Sequence, residues 1–542
     1  MGPRARLLLL AALGAGACLV GVELMITAVA LPAILADLSD WTQLRQASWI
    51  LNGYLLAYVA TMPLAGRAAD RFGTPVLFVA ALALFAVGSA LAGAAQDLNQ
   101  LIVARVVQGI GGGALVPLAT AGASHLFDGH ARARALGVVG ALTFLGMALG
   151  PFVGAAVLEQ LDLSSVLATR GLGGSVVADL AAPAWRWIFY LGVPLAVLAA
   201  LYVWAAGPGW ESRGHGTKLD LAGAFLFTLA VGSGLLALTW LGTDSSRTEG
   251  LVLSLAIVCL GAAALAVRHF RRTPDPFLEL RFFREPSFSG AVLLSLLTGY
   301  ALATAIVGGA VFVDRVRYGG PDEQRLALGA LALAMSLGAL ASGIALRWLG
   351  PALVSVGGLA LGVAGLGVLA TARAGSSLIH LALGLGLFGL GFGLTVTPRS
   401  AAAVEALGRR SFGLASAAVT VARMLGMAVG LAVLTALGSN RIEALSVVLT
   451  DAAARDGVLP PVLRGRTLQD GLVIEALERW AADQAAGILA GLFALAAGVM
   501  VVALLPAVAM RRPASRTPSV QTGSQPHGEA ASDDDTKAAL AL

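Results

Sequence analysis

Long apolar runs separated by short polar turns repeat along most of the chain. Runs of about 17 to 25 residues, the length a helix needs to cross ~30 Å of hydrocarbon, occur about fourteen times. The first six are Leu7–Leu35, Ser48–Leu64, Pro75–Ala94, Leu101–Ala121, Ala135–Leu158 and Ile188–Ala206. Two follow at Leu219–Leu241 and Leu251–Val267. Six more lie at Phe288–Val313, Leu326–Leu346, Ala352–Ala372, Leu378–Val396, Phe412–Leu437 and Ala485–Ala507. This six, two, six layout predicts an all-α integral membrane protein. An N-terminal six-helix bundle would occupy 1–206, two extra helices with a linker 207–286, and a C-terminal six-helix bundle 287–507. The tail, 508–542, is rich in Ser, Pro, Thr and Asp and is expected to be disordered, because it cannot bury a core.

The polar turns carry the topology. With the N-terminus inside, Arg4, Arg6, Arg67, Arg71, Arg132, Arg134, Arg213, Lys218, Arg268, Arg271, Arg272, Arg281, Arg284, Arg347, Arg399, Arg409, Arg410, Arg511 and Arg512 all fall in cytoplasmic segments. Both termini are therefore expected in the cytoplasm. Two outer loops are long, Glu159–Ala184 and 438–484. Their apolar residues, among them Ile474, Leu477 and Trp480, sit at loosely helical spacing, which suits short interfacial helices over the outer mouth or a lid that guides substrate.

Composition agrees with the pattern and removes other classes. Hydrophobic residues make up 58% of 542 positions, charged residues 12%, and the mean hydropathy is +0.83, values no polar-shelled globule shows. A net charge of +5 and a pI near 9.6 would suggest nucleic acid in a soluble chain; here the basic residues sit in short loops and act as topology signals. Cys18 and Cys259 each lie within an apolar run, so no disulfide framework is implied. Arg4 and Arg6 followed by apolar residues imitate a cleaved signal, yet the run continues past Cys18 to Leu35 and is read as a retained helix.

Within the fifth run, Gly146, Gly150 and Gly154 are spaced four residues apart and share one helix face, a bare stripe on which a second helix can approach closely. Pro151 removes one backbone donor and crowds the preceding turn, so this helix is expected to bend.

Charged groups inside apolar runs are few, and each costs several kcal/mol unless it faces a cavity or a partner. Glu23 lies about 16 residues into the first span, ~24 Å along a helix axis. It is the only acid so deep, and a carboxyl poised by burial against a nearby Arg105 can load and release a proton. A static Glu23–Arg105 ion pair joining two helices is the other reading. Arg105, in the outer half of the fourth span, and Arg423, within the thirteenth, suit either a substrate-site partner or a donor to backbone carbonyls. Asp70 and Arg71, framed by Gly66 and Gly73, form a different device: an acid between two spans can cap the N-terminus of a helix from the other half and close the cytoplasmic side. Asn52, Tyr54, Tyr58, Gln108, Thr298, Tyr300 and Arg423 are candidates for the substrate cavity wall. His125, Asp128 and His130 lack a further ligand nearby, so no metal is expected. No phosphate-cradling glycine loop followed by Lys and Ser or Thr occurs, which argues against ATP-driven transport, and no cofactor is expected.

These stretches together resemble the major facilitator superfamily, and specifically its fourteen-span drug:proton antiporters of the DHA2 type. Gly146–Gly154 resembles that family's antiporter signature, Gly66–Gly73 its cytoplasmic loop signature, and Leu101, Arg105, Gln108, Gly109 and Gly112 its fourth-span motif. Val22-Glu23 through Pro32 resembles the first-span motif, and Trp185–Tyr190 with Pro194 the start of the sixth span. The resemblance implies two six-helix bundles plus two additional helices. It also places Glu23 where the family commonly has Asp, and Arg105 at the arginine tied to proton coupling. Thr74-Pro75 in place of a basic pair, Gly192 in place of Asn and the longer loop after Glu159 depart from the family pattern.

The expected function is proton-coupled efflux of multiple drugs or hydrophobic compounds by alternating access, in a bacterial plasma membrane, by a monomer. Partners are a small hydrophobic or amphipathic substrate, protons and the lipid bilayer, without nucleic acid. A single deep carboxylate favours neutral, zwitterionic or monocationic cargo over dications. Two alternatives stand beside this reading: an exporter of lipids or cell-envelope precursors, and a non-transporting membrane ligand sensor. No nucleophile with a base at workable spacing supports an integral-membrane enzyme.

Overall fold

The computed structural model describes residues 2–38, 49–161, 175, 182–206, 220–240, 246–274, 276, 278–408, 411–450, 452–465 and 470–510. Helices occupy all the long apolar runs: α1 (Pro3–Leu38), α2 (Trp49–Phe72), α3 (Thr74–Ala94), α4 (Leu98–Leu126), α5 (Gly129–Gln160), and the pair α6 (Ala184–Tyr190) and α7 (Gly192–Ala206). Then come α8 (Leu221–Trp240) and α9 (Ser246–Arg272). The remainder are α10 (Pro286–Val311), α11 (Pro321–Ala345), α12 (Pro351–Ala370), α13 (Leu378–Leu407), α14 (Phe412–Thr450), α15 (Ala452–Val458), α16 (Gly471–Val502) and α17 (Leu504–Ala509).

Among the described residues, 12 helices are long and apolar enough to cross a membrane, and the molecule is a multi-pass membrane protein. The fourteen expected spans are not all among them. α2, which carries Asn52, Arg67, Asp70 and Arg71, lies outside that set, and so does α8.

Local chemistry sets the helix starts. The Asp97 carboxylate accepts the Gln100 N–H at 2.9 Å ahead of α4, and prolines open α3, α10, α11 and α12, where a missing N–H costs nothing. Gly73 separates α2 from α3 with φ 93°, a conformation that disfavours any side chain.

The two halves repeat one packing scheme. In the first, α1 lies on α5 while α2 and α3 both lie on α4; in the second, α10 lies on α14 while α11 and α12 both lie on α13. Glycines allow these approaches: a Cβ on Gly146 would sit 2.2 Å from the Cys18 carbonyl oxygen, and one on Gly426 would sit 1.9 Å from that of Leu296. The Gly146, Gly150, Gly154 stripe thus faces α1, within its own bundle, and α5 remains one helix through Pro151.

Between the halves, α2 meets α14 and α5 meets α11. A Cβ on Gly66 would lie 2.5 Å from the Gly413 carbonyl oxygen, and one on Gly137 2.8 Å from that of Ala339. α8 and α9 pack mainly on each other, with α8 touching α2 and α14, and α9 leaves Leu253, Ile257 and Leu260 exposed. In the stretch 438–484, α14 continues to Thr450 and is followed by α15 and the start of α16, where Leu459, Val473 and Leu477 form a small core. Most of the loop after Glu159, and the tail from 511 onward, lie outside the described residues.

Candidate functional site

Glu23 and Arg105 meet inside the first bundle. α1 supplies the carboxylate, 4% exposed, and α4 the guanidinium, 1% exposed, and they form a direct ion pair. Each is held from several sides. The Thr27 hydroxyl donates to Glu23 Oε1 at 3.0 Å, one helical turn on. Arg105 also donates to Gln108 Oε1 and, through Nε, to the Ile50 carbonyl at 3.2 Å; Gln108 in turn donates to Ser89 Oγ at 2.6 Å. The network ties α1, α2, α3 and α4 together around one buried charge pair. Such a pair offsets its desolvation only when its remaining donors and acceptors find partners, and here Thr27, Gln108 and Ile50 supply several.

The Arg105 guanidinium lies over the Tyr54 ring at 4.2 Å, and Tyr54 stacks on Tyr58, one turn further along α2, with centroids 5.7 Å apart. Tyr58 lies within electrostatic reach of Arg423 on α14. An aromatic column therefore runs from the ion pair of one bundle to an arginine of the other.

At the far end of α2, Asp70 sits against the first turn of α14. Its two carboxylate oxygens accept the backbone N–H groups of Gly413 at 2.9 Å and Leu414 at 3.0 Å. These donors have no partner within their own helix, and the positive end of the helix dipole favours an anion there. Asp70 lies beyond the apolar run of α2. Burial pushes its carboxyl up to about 7, against the pull of the two N–H groups, Arg67 and His125. Arg71 is exposed over the Phe72 ring at 5.2 Å, and the Gly73 N–H donates to the Ala69 carbonyl at 2.8 Å.

A small cavity of about 30 Å³ lies between the bundles, lined by α4 and α5 on one side and α13 and α14 on the other. Of the seven residues expected on a cavity wall, only Arg423 lines it. Tyr54, Tyr58 and Gln108 are buried in the network already described, Thr298 accepts from Arg399, Tyr300 is packed against Gly426 and Gly430 of α14, and Asn52 is half-buried. Neither Glu23 nor Arg105 touches this cavity.

Arg399 is the residue that sequence reasoning misplaced. It was expected in a cytoplasmic segment, because the apolar run ends at Val396, but α13 continues to Leu407 and buries Arg399 to 1% exposure in the cavity wall. Arg67 is also buried rather than looped out, donating to the Pro276 carbonyl at 3.3 Å. Among the described residues no group of three His, Cys, Asp or Glu could hold a metal ion.

A family model described as the Major Facilitator Superfamily matches residues 13–431, which takes in the Glu23–Arg105 pair, the Asp70 contact and the cavity. The chain belongs to the major facilitator superfamily. Family and relatives are transporters rather than enzymes. A triacylglyceride transporter of Mycolicibacterium hassiacum is 32% identical over 414 residues, covering 74% of this chain and 73% of that protein. The multidrug transporter protein MdtP of Bacillus subtilis is 29% identical over 289 residues, 53% of this chain and 48% of that protein. Among solved structures, a bacterial homologue of the human lysosomal transporter Spinster superposes with a TM-score of 0.56, covering 94% of this chain and 99% of that one. At 17% identity that likeness concerns the fold alone. Superfamily transporters of this plan pair two six-helix units, and the repeated packing of α1–α5 and α10–α14 follows it.

Proposed function

We propose that this superfamily member is a proton-coupled exporter of hydrophobic or amphipathic compounds, of the DHA2 drug:proton antiporter kind, working by alternating access. The observation that carries the reading is the buried Glu23–Arg105 pair: a lone intramembrane acid whose partner is a fixed guanidinium is a site at which a proton can compete with a cation for one carboxylate. Protonation of Glu23 frees Arg105 to rest on Gln108, Ile50 and the Tyr54 ring, changing the packing of α1 and α4 against α2. Asp70, 16 residues beyond Tyr54 on α2, lies ~24 Å further along the same rigid helix, so a small rotation of α2 reaches its contact with α14. One elementary charge crossing 100 mV supplies ~2.3 kcal/mol, enough for a roughly 50-fold substrate gradient.

In this reading α2 and α8 also cross the bilayer, giving fourteen spans, with α8 and α9 as peripheral additions. The arginine-rich turns face the cytoplasm of a bacterial cell, both termini are inside, and the unit is a monomer. The Asp70 contact is then the cytoplasmic gate.

A second reading, export of lipids or cell-envelope precursors, is favoured by the name of the Mycolicibacterium relative. Reconstitution separates the two. In proteoliposomes with an imposed proton gradient, a fluorescent triacylglyceride and ethidium are followed side by side for wild type, Glu23→Gln and Arg105→Ala. Gradient-driven movement of either probe, lost in both variants, is the expected result, and the probe moved decides between drug and lipid. Undiminished, still gradient-driven movement in both variants would refute the coupling site.

A further inference from the structure

Five arginines are buried among the described residues, and three of them are answered by acceptors. Arg67 has the Pro276 carbonyl, Arg186 the carbonyls of Gly93 and Ala95, and Arg105 has Glu23. Arg399 and Arg423 differ. Neither forms an ion pair among the described residues; the Arg399 guanidinium donates to the Thr298 hydroxyl at 2.6 Å, and Arg423 Nε is buried with no hydrogen-bond partner. They are 1% and 8% exposed, lie within electrostatic reach of each other, and line the same cavity between the bundles. Two like charges held together out of water each carry a large desolvation cost that a hydroxyl does not offset. Their placement is nevertheless firm: Arg399 rests on the Phe392 ring at 4.9 Å as well as on Thr298. Hydroxyls of Thr120, Thr143, Ser400 and Thr420 complete a polar lining without any acid.

We propose that Arg399 and Arg423 form a binding site for the oxyanion headgroup, carboxylate or phosphate ester, of an amphipathic substrate. The proposal rests on the transport reading and names its substrate class, which differs from the neutral or cationic cargo that a lone acid suggests. A paired guanidinium site matches the geometry of an oxyanion and supplies the missing countercharge. Because α4 and α5 form one wall and α13 and α14 the other, the cavity enlarges when the bundles separate. At about 30 Å³ it has room for one or two waters in this conformation and admits the cargo only in a more open one.

Protein in lipid nanodiscs, with empty nanodiscs as background, is titrated with three probes of one shape: anthracene-9-carboxylate, anthracene-9-carboxamide and 9-(aminomethyl)anthracene. Binding is read as fluorescence anisotropy. The carboxylate is expected to bind at least about tenfold tighter than the other two, as a charge-assisted hydrogen bond implies. Arg423→Gln and Arg399→Gln are expected to abolish that preference, and Arg423→Lys to keep part of it. Equal or tighter binding of the amine or amide, no binding of the carboxylate, or a preference surviving both Gln variants would overturn the proposal. The comparison on the unmodified chain decides even if a variant fails to fold. No flux is measured, so a protein that binds the carboxylate but moves nothing refutes the transport reading alone, while proton-driven export with a preference for the amine refutes the anion site alone.

Discussion

Replacing Gly66 by leucine should force apart the end of the molecule at which Asp70 meets the first turn of α14. A Cβ at this position would stand 2.5 Å from the Gly413 carbonyl oxygen and 2.7 Å from the Ala417 Cβ, and ordinary contact begins at 3.4 Å. Even alanine is thus about 0.9 Å short of room, against backbone rather than a flexible side chain, and leucine adds three further carbons. Overpacking of this kind costs about 1–3 kcal/mol, and here the strain exists only while α2 and α14 are in contact. The ratio of open to closed molecules should therefore rise roughly 5- to 150-fold. Spin labels at the exposed Val76 on α3 and Leu353 on α12, in a background lacking Cys18 and Cys259, report the separation by double electron–electron resonance. The Gly66→Leu distribution should gain a longer component absent from the parent. Gly261→Leu, where a Cβ would meet nothing within 4 Å among the described residues, should leave the distribution unchanged. A folded Gly66→Leu protein with the parent distribution would refute the reasoning.

Three other predictions follow from the same contacts. With its carboxyl raised to about 7 when α2 and α14 meet, and in the ordinary carboxylate range when they part, Asp70 binds its proton more tightly in the closed form. The contribution to closure is complete below the ordinary carboxylate range and fades as pH rises through about 7; the spin-label distances should lengthen over that window, and Asp70→Asn should flatten the response. Gly426→Ala places a Cβ 1.9 Å from the Leu296 carbonyl oxygen inside one bundle, and thermal unfolding in detergent should move down by the equivalent of about 1–3 kcal/mol. A Gly426→Ala protein as stable as the parent would show that α10 and α14 are less closely packed than described. Gln108→Leu removes both the acceptor for Arg105 and the donor to Ser89, so proton-driven export should slow while the protein stays folded; unchanged export would remove Gln108 from the coupling network.

The helices were legible because the bilayer imposes one length on every span, and runs such as Pro75–Ala94 and Ala352–Ala372 carry no competing signal. Glycine spacing also foretold close approach, since nothing but a missing Cβ lets Gly146 meet the Cys18 carbonyl. What the glycines could not announce was their partner: the stripe on α5 faces α1 in its own bundle, while Gly66 and Gly137 face the other. Polar residues inside helices were harder. Arg399 follows Pro398, and a proline with an arginine after it reads as the end of a span, whereas the helix runs on to Leu407 and buries both. Arg67 misled for the same reason, because hydropathy records the cost of a charge and not the carbonyl of Pro276 that meets it. The Tyr54–Tyr58 stack needed coordinates, as two aromatics one turn apart are equally at home in a core. So did the cavity, whose walls come from four helices far apart in sequence.

The central claim is that Glu23 exchanges a proton in competition with Arg105. Infrared difference spectroscopy of the reconstituted protein, with the carboxyl band assigned by its loss in Glu23→Gln, reads that event without any substrate. The account predicts a reversible neutral-carboxyl band assigned to Glu23 when a proton gradient is imposed across the membrane, and its loss when the gradient is collapsed. The absence of any Glu23 carboxyl band, with and without the gradient, would contradict it.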